Sequence, residues 1–149
     1  MSNTYLKLKE FKKKYPLSIV WRLKSHAKII DKHLNPGETV NFVFAAQKGY
    51  SSWDFFSTFV IVLTNKRIIL AQKRLLWGYT YLSVTPDMFN DLTVNSGLIW
   101  GKVYIDTIKE TMILSNIDKN ALDDIETQIT EYMMDEKKKY KEAKEEVKM

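Results

Sequence analysis

Residues 58–72 read TFVIVLTNKRIILAQ. Two runs of β-branched and aliphatic side chains flank the polar stretch Thr64-Asn65-Lys66-Arg67, the pattern of two strands joined by a tight bend. Thr and Asn suit a bend because short polar side chains bond to nearby backbone amides and Asn tolerates positive φ. Lys66 and Arg67 keep the bend solvated, and charge there discourages edge-to-edge pairing. Arg67 is also within reach of a carboxylate such as Glu38. An anion site is the competing reading of these two cations; architecture is the one favoured here.

Outward from this hairpin, the same period of two recurs. Val40, Phe42 and Phe44 alternate with Asn41, Val43 and Ala45 as in a half-buried strand. Strand-like segments at residues 79–85, 89–94, 97–105 and 110–114 bring the total to about seven. A helical period brackets them. Following Pro16, which suits a first turn, Val20, Leu23, Ala27, Ile30 and Leu34 predict a helix over residues 17–34. Asn35-Pro36-Gly37 ends it. Asp118 reads as an N-cap before a last helix whose apolar face is Leu122, Ile125, Ile129 and Tyr132. Beyond Met134 the sequence is charged all round, a solvated helical extension or a frayed tail. A run of strands with a helix at one end predicts an α+β domain, a curled sheet whose open mouth the last helix covers. The expected organisation is a basic arm (1–16), a helix (17–35), the sheet domain (36–134) and a charged tail (135–149).

Composition narrows the chemistry. With Cys 0 there are no disulfides and no thiolate ligands or nucleophiles. No apolar stretch approaches the roughly 18 residues of a spanning helix. No apolar signal core follows the first charges. The chain therefore reads as soluble and cytoplasmic. Residues 1–34 carry 9 Lys/Arg against 2 acidic residues, +7; residues 35–114 carry +1 and residues 115–149 carry −3. Cations concentrated on an arm argue against a nucleic-acid surface, which places them on the folded body.

His26 and His33 lie two helical turns apart, about 10 Å, too far to share a metal unaided. The stretch GLIWGK (97–102) is one residue too short between its glycines for a phosphate loop, and Val103 stands where Ser or Thr is needed. Its glycines suit a turn and a bent strand. No nucleophile–base set can be assembled, so no catalysis, cofactor, metal or small-molecule substrate is expected.

Two features invite a binding role. The segments 49–57 and 73–79, after the first and third strands, leave an antiparallel meander at the same end. Trp53, Phe55, Phe56, Leu75, Leu76 and Trp77 would gather there beside Lys48, Lys73 and Arg74. Aromatics rimmed by cations suit a protein partner or an anionic membrane interface; the plainer reading turns Phe55 and Phe56 into the core. The second feature is the arm TYLKLKEFKKKY (4–15). As a helix it places Leu8, Phe11 and Tyr15 on one face and supplies Lys7, Lys9, Lys12, Lys13 and Lys14. Each cation near an anionic leaflet contributes about 1 kcal/mol. A solvated, partly docked helix is the plainer reading and the preferred one.

Three stretches, LNPGETV (34–40), VLTNKRIIL (62–70) and GLIWGKVYIDT (97–107), resemble in this order the bacterial pleckstrin-homology-like domains, in particular the YokE-like class. The resemblance covers roughly residues 30–133. It implies a PH-like barrel of two near-orthogonal sheets closed by a C-terminal helix, without enzymatic activity. PH domains that bind inositol phosphates place several cations on the first two strands and the loop between; residues 39–64 here offer Lys48 alone.

The expected function is a non-enzymatic binding module. Its expected partner is a protein, a second copy included, met at the end bearing Trp53 and Trp77. Peripheral attachment to anionic lipid at the inner face of the membrane, through the Lys-rich arm and aromatic loops, is the alternative.

Overall fold

The computed structural model describes residues 3–49 and 57–148. Two helices, α1 (Asn3–Lys14) and α2 (Leu23–His33), precede seven strands: β1 (Val40–Lys48), β2 (Thr58–Thr64), β3 (Ile68–Lys73), β4 (Tyr79–Val84), β5 (Phe89–Ser96), β6 (Trp100–Thr107) and β7 (Thr111–Asp118). A long helix, α3 (Leu122–Lys148), follows.

All strand pairs are antiparallel, in the order β4-β3-β2-β1-β7-β6-β5. The resemblance implied two near-orthogonal sheets; hydrogen bonds here run through all seven strands as one sheet. The link between the halves is narrow, because β1 and β7 pair only at Gln47↔Ser115 and Lys48↔Leu114. Past that point Asn116 takes φ 57, a left-handed conformation that Asn tolerates, and the two strands part.

Residues 17–22 fill the opening. Ile19 N–H donates to the Asn116 carbonyl at 3.0 Å, and Gln47 Nε2 donates to the Ile19 carbonyl at 2.8 Å. Asp118 N–H donates to Ser18 Oγ at 2.9 Å, and Leu17 N–H donates to Asp118 Oδ2 at 3.2 Å. These bonds explain why the helix expected over residues 17–34 starts only at Leu23. A non-helical segment satisfies both sides of the split, and Arg22, at φ 59, makes the turn into α2.

The sheet buries two faces. On the inner one, Phe44, Ile61, Leu63, Ile68 and Leu70 meet Val103, Ile105, Leu114 and Ile117 from the other half. Leu122, Ile125, Ile129 and Met133 of α3 close over them. On the outer one, Val43, Ala45, Val60, Val62, Ile69 and Ala71 pack beneath α1 and α2, against Leu8, Val20, Ala27, Ile29 and Ile30. Thus β2 is buried along its whole length, which is why its sequence is a continuous apolar run rather than an alternation. Helix α1 reaches both layers: Leu8 joins the outer one, Phe11 and Tyr15 the inner one.

Glycine and capping chemistry fix α3. A Cβ on Gly101 would meet Leu122 Cδ1 at 2.2 Å and the Asn95 carbonyl oxygen at 3.0 Å, so the helix approaches β6 as closely as a bare backbone allows. The Asp118 side chain accepts from Asn120 N–H at 3.0 Å and caps a short 3-10 turn (Lys119–Ala121) that leads into α3. Beyond Met134 the helix continues to Lys148 with almost every described residue exposed.

Candidate functional site

The cations of the opening hairpin are turned to different uses. Arg67 directs its guanidinium inward, donating to both Glu38 oxygens, to the His33 carbonyl at 2.8 Å and to Ser83 Oγ at 3.2 Å. The Thr64 hydroxyl accepts from the Lys66 and Arg67 amides, each at 3.1 Å, and closes the bend. Asn65 accepts from Thr39 N–H at 2.9 Å. Of the two cations only Lys66 is exposed, and the bend ties α2, the residues before β1 and β4 together.

The β3–β4 turn is different. Leu75, Leu76 and Trp77 are 51%, 77% and 77% exposed, beside exposed Arg74 and half-buried Lys73. Yet the turn is anchored. Arg22 donates from Nη1 to the Lys73 carbonyl at 2.9 Å and from Nη2 to the Arg74 carbonyl at 3.4 Å. Lys73 N–H donates to His26 Nδ1 at 2.8 Å. Burial, with the Arg22 charge adding to it, lowers the His26 pKa to about 4, so the ring is neutral at ordinary pH and presents Nδ1 as an acceptor. Gly78, at φ 82, closes the turn through its carbonyl and Arg74 N–H at 3.1 Å.

Of the other residues expected at this end, Trp53, Phe55 and Phe56 lie outside the described residues. Lys48 is exposed, its ammonium 5.5 Å from the Phe59 ring centroid.

The basic arm is α1, and its apolar face is already occupied: Leu8, Phe11 and Tyr15 are buried in the sheet layers. That face is therefore not available to a bilayer. Two of its lysines are also engaged. Lys12 Nζ donates to the Pro16 carbonyl at 2.9 Å and to the Ser18 carbonyl at 2.6 Å, and burial lowers its pKa while Asp118 opposes the shift. Lys14 pairs with Asp124 at 3.3 Å, and the Tyr15 hydroxyl donates to the same carboxylate, holding the Asp124 pKa below its ordinary value. Lys9 and Lys13 are exposed and Lys7 half-buried.

Between the two N-terminal helices runs a groove of about 490 Å³ lined by Tyr5, Lys9, Lys12, Lys13, Arg22, Leu23 and Lys24. Its contribution from α2 was missed in the sequence. Arg22 and Lys24 carried the clue, as two more cations in the +7 segment, but only the fold brings them beside α1. Among the described residues no group of three His, Asp or Glu side chains converges on a point. No described helix is long and apolar enough to cross a membrane.

One of two similar solved structures supports this architecture. The crystal structure of the C-terminal domain of an unknown protein from Leishmania infantum superposes with a TM-score of 0.51 at 14% identity, over 85% of this chain and 96% of that one. A pleckstrin homology domain from Shewanella amazonensis SB2B superposes with a TM-score of 0.43 at 16% identity, over 70% of this chain and 80% of that one. No curated protein matches. The family model of the bacterial PH domain matches residues 34–131, from the end of α2 to the third turn of α3, and on that match the chain belongs to the bacterial PH domain family.

Proposed function

We propose that this protein is a non-catalytic binding module that engages a protein partner, a second copy of the chain included, through the end of the sheet bearing the β3–β4 turn. One observation carries the reading. Leu75, Leu76 and Trp77 stand exposed on a turn whose backbone is tied down by Arg22 and His26. Large apolar side chains presented on a fixed backbone lose little entropy on docking, and a Trp at the centre of a contact is a typical anchor. Domains of this family are typically binding modules rather than catalysts.

Sedimentation over a range of concentrations tests it. Association that weakens in Leu76→Ser/Trp77→Ser, with melting unchanged, is the expected result. A strict monomer at high concentration removes the self-association form.

A second reading is peripheral attachment to anionic lipid. It is favoured by the cationic groove, which adjoins the same turn through Arg22.

A further inference from the structure

We infer that the β5–β6 turn is a second apolar anchor, and that with the β3–β4 turn and the cationic groove it forms one face that docks on an anionic bilayer. The inference rests on the second reading above and adds residues that no other consideration singles out.

Leu98 at the tip of the β5–β6 turn is 86% exposed and Ile99 41%. The turn is nonetheless ordered by its own bonds. Gly97 N–H donates to the Trp100 carbonyl at 2.9 Å, and Lys119 N–H donates to the Ile99 carbonyl at 3.1 Å. Leu17, 52% exposed, is brought to it by the Trp100 indole, whose Nε1 donates to the Leu17 carbonyl at 2.7 Å. Three aliphatic side chains therefore face water around one fixed point.

That point lies at one end of the groove, and the β3–β4 turn lies at the other. Lys12, in the groove lining, bonds the carbonyls on either side of Leu17. Arg22, also in the lining, bonds the carbonyls of Lys73 and Arg74. The segment from Leu17 to Arg22 spans at most about 18 Å, so the two apolar turns flank the same cationic groove from its two ends. Between them stand Lys9, Lys13 and Lys24, all exposed, and no carboxylate belongs to the described lining.

A bilayer rich in anionic lipid offers what this face requires. Phosphates at headgroup depth meet the lysines, whose long stems let the ammonium reach outward, while Leu, Ile and Trp side chains enter the acyl boundary. A free phosphate would use the cations and leave both apolar tips in water. The groove is built from residues that precede the segment matched by the family model, so it is a feature of this chain's own N-terminal helices.

Flotation of the full chain tests the assignment, with vesicles of phosphatidylcholine alone and of phosphatidylcholine mixed with phosphatidylglycerol. Partition onto the mixed vesicles at low salt, lost at high salt, is expected. Leu98→Ser/Ile99→Ser lowers it at least about tenfold, as does Lys9→Glu/Lys13→Glu, with melting temperature and sedimentation unchanged. Wild-type partition by the Leu98/Ile99 variant overturns the second anchor. Equal partition onto both vesicle types overturns the role of the groove, and no partition at low salt overturns the bilayer assignment. Because the sedimentation test of Leu76 and Trp77 needs no lipid, the protein-partner reading stands or falls separately.

Discussion

The Arg67 guanidinium closes a two-point fork on the Glu38 carboxylate, with Nε to Oε2 and Nη2 to Oε1 both at 2.9 Å. The carboxylate also accepts from Asn35 N–H at 3.0 Å and from the Thr64 hydroxyl at 2.7 Å, so its side chain is wholly buried yet fully bonded. Removing one partner strands the other charge. Arg67→Ala is expected to cost about 3–5 kcal/mol in urea denaturation. Arg67→Lys recovers only part of this, since a single ammonium cannot reproduce the fork.

The same contact sets the behaviour in acid. Arg67, aided by the Asn35 amide and the Thr64 hydroxyl against the opposing effect of burial, lowers the Glu38 pKa from 4.5 to about 2. Between those values the unfolded chain binds the proton and the folded one does not. The stabilisation is complete above pH 4.5 and is lost as the pH falls toward 2, by at most about 3 kcal/mol. Melting temperature against pH checks this: Glu38→Gln melts lower throughout and loses that part of the slope.

His26 acts in a higher window. Its folded pKa of about 4 lies below the ordinary 6.5, so protonation again favours the unfolded chain, here as the pH falls from 6.5 toward 4. His26→Asn is a clean comparison, because Oδ1 takes roughly the place of Nδ1 and still accepts from Lys73 N–H. The variant is expected to show a flatter melting curve from pH 6.5 to 4. An unchanged slope would mean that the ring charges without penalty.

Close packing at Gly101 makes a fourth prediction. Gly101→Ala sets a methyl group against Leu122 and the Asn95 carbonyl, and overpacking of this kind costs about 1–3 kcal/mol. Leu122→Ala alone opens a cavity. The double variant Gly101→Ala/Leu122→Ala is expected to be more stable than the two single losses summed, a coupling that a double-mutant cycle measures.

The N-terminal helices are structural as well as cationic. Without residues 3–33 the outer faces of Val43, Val60, Val62 and Ile69 lose their cover. A chain starting at residue 34 is expected to bind a hydrophobic dye and to aggregate, although it retains the entire segment matched by the family model.

Strands and caps were largely legible because their signals are local. The bend at Thr64-Asn65, the apolar face of α3 and the break at Asn35-Pro36-Gly37 each lie within a few residues of what they determine. The start of α2 was not. Val20 fits the helical spacing of Leu23, Ala27 and Ile30, but it reaches the same apolar layer from a non-helical segment held by partners about a hundred residues away, Asn116 and Asp118. Periodicity cannot distinguish those two routes to burial. The second layer did leave a trace: the apolar run 59–63 lacks the alternation of a half-exposed strand, which signals cover on both faces. At the candidate site, Leu75, Leu76 and Trp77 were legible as apolar residues in a turn. Arg22, Lys24 and Leu98 gain meaning only from tertiary neighbours.

Doubly covered strands raise a problem of reading frame. If β2 slid by one residue against its neighbours, Val60 and Val62 would trade places with Phe59, Ile61 and Leu63, and oil would still face oil on both sides. Ordinary inside–outside contrast gives such a slip little resistance. The safeguard is at the two ends, where Thr58 and Thr64 sit fully enclosed. The first hydroxyl accepts from Gln47 Nε2 at 2.9 Å and from Trp21 N–H at 3.3 Å, while the second donates to Glu38. A strand shifted by one residue would bring Phe59 to the first position or Leu63 to the second and orphan the polar partners there. Two hydroxyl pegs thereby define the alignment of a segment whose greasy middle cannot.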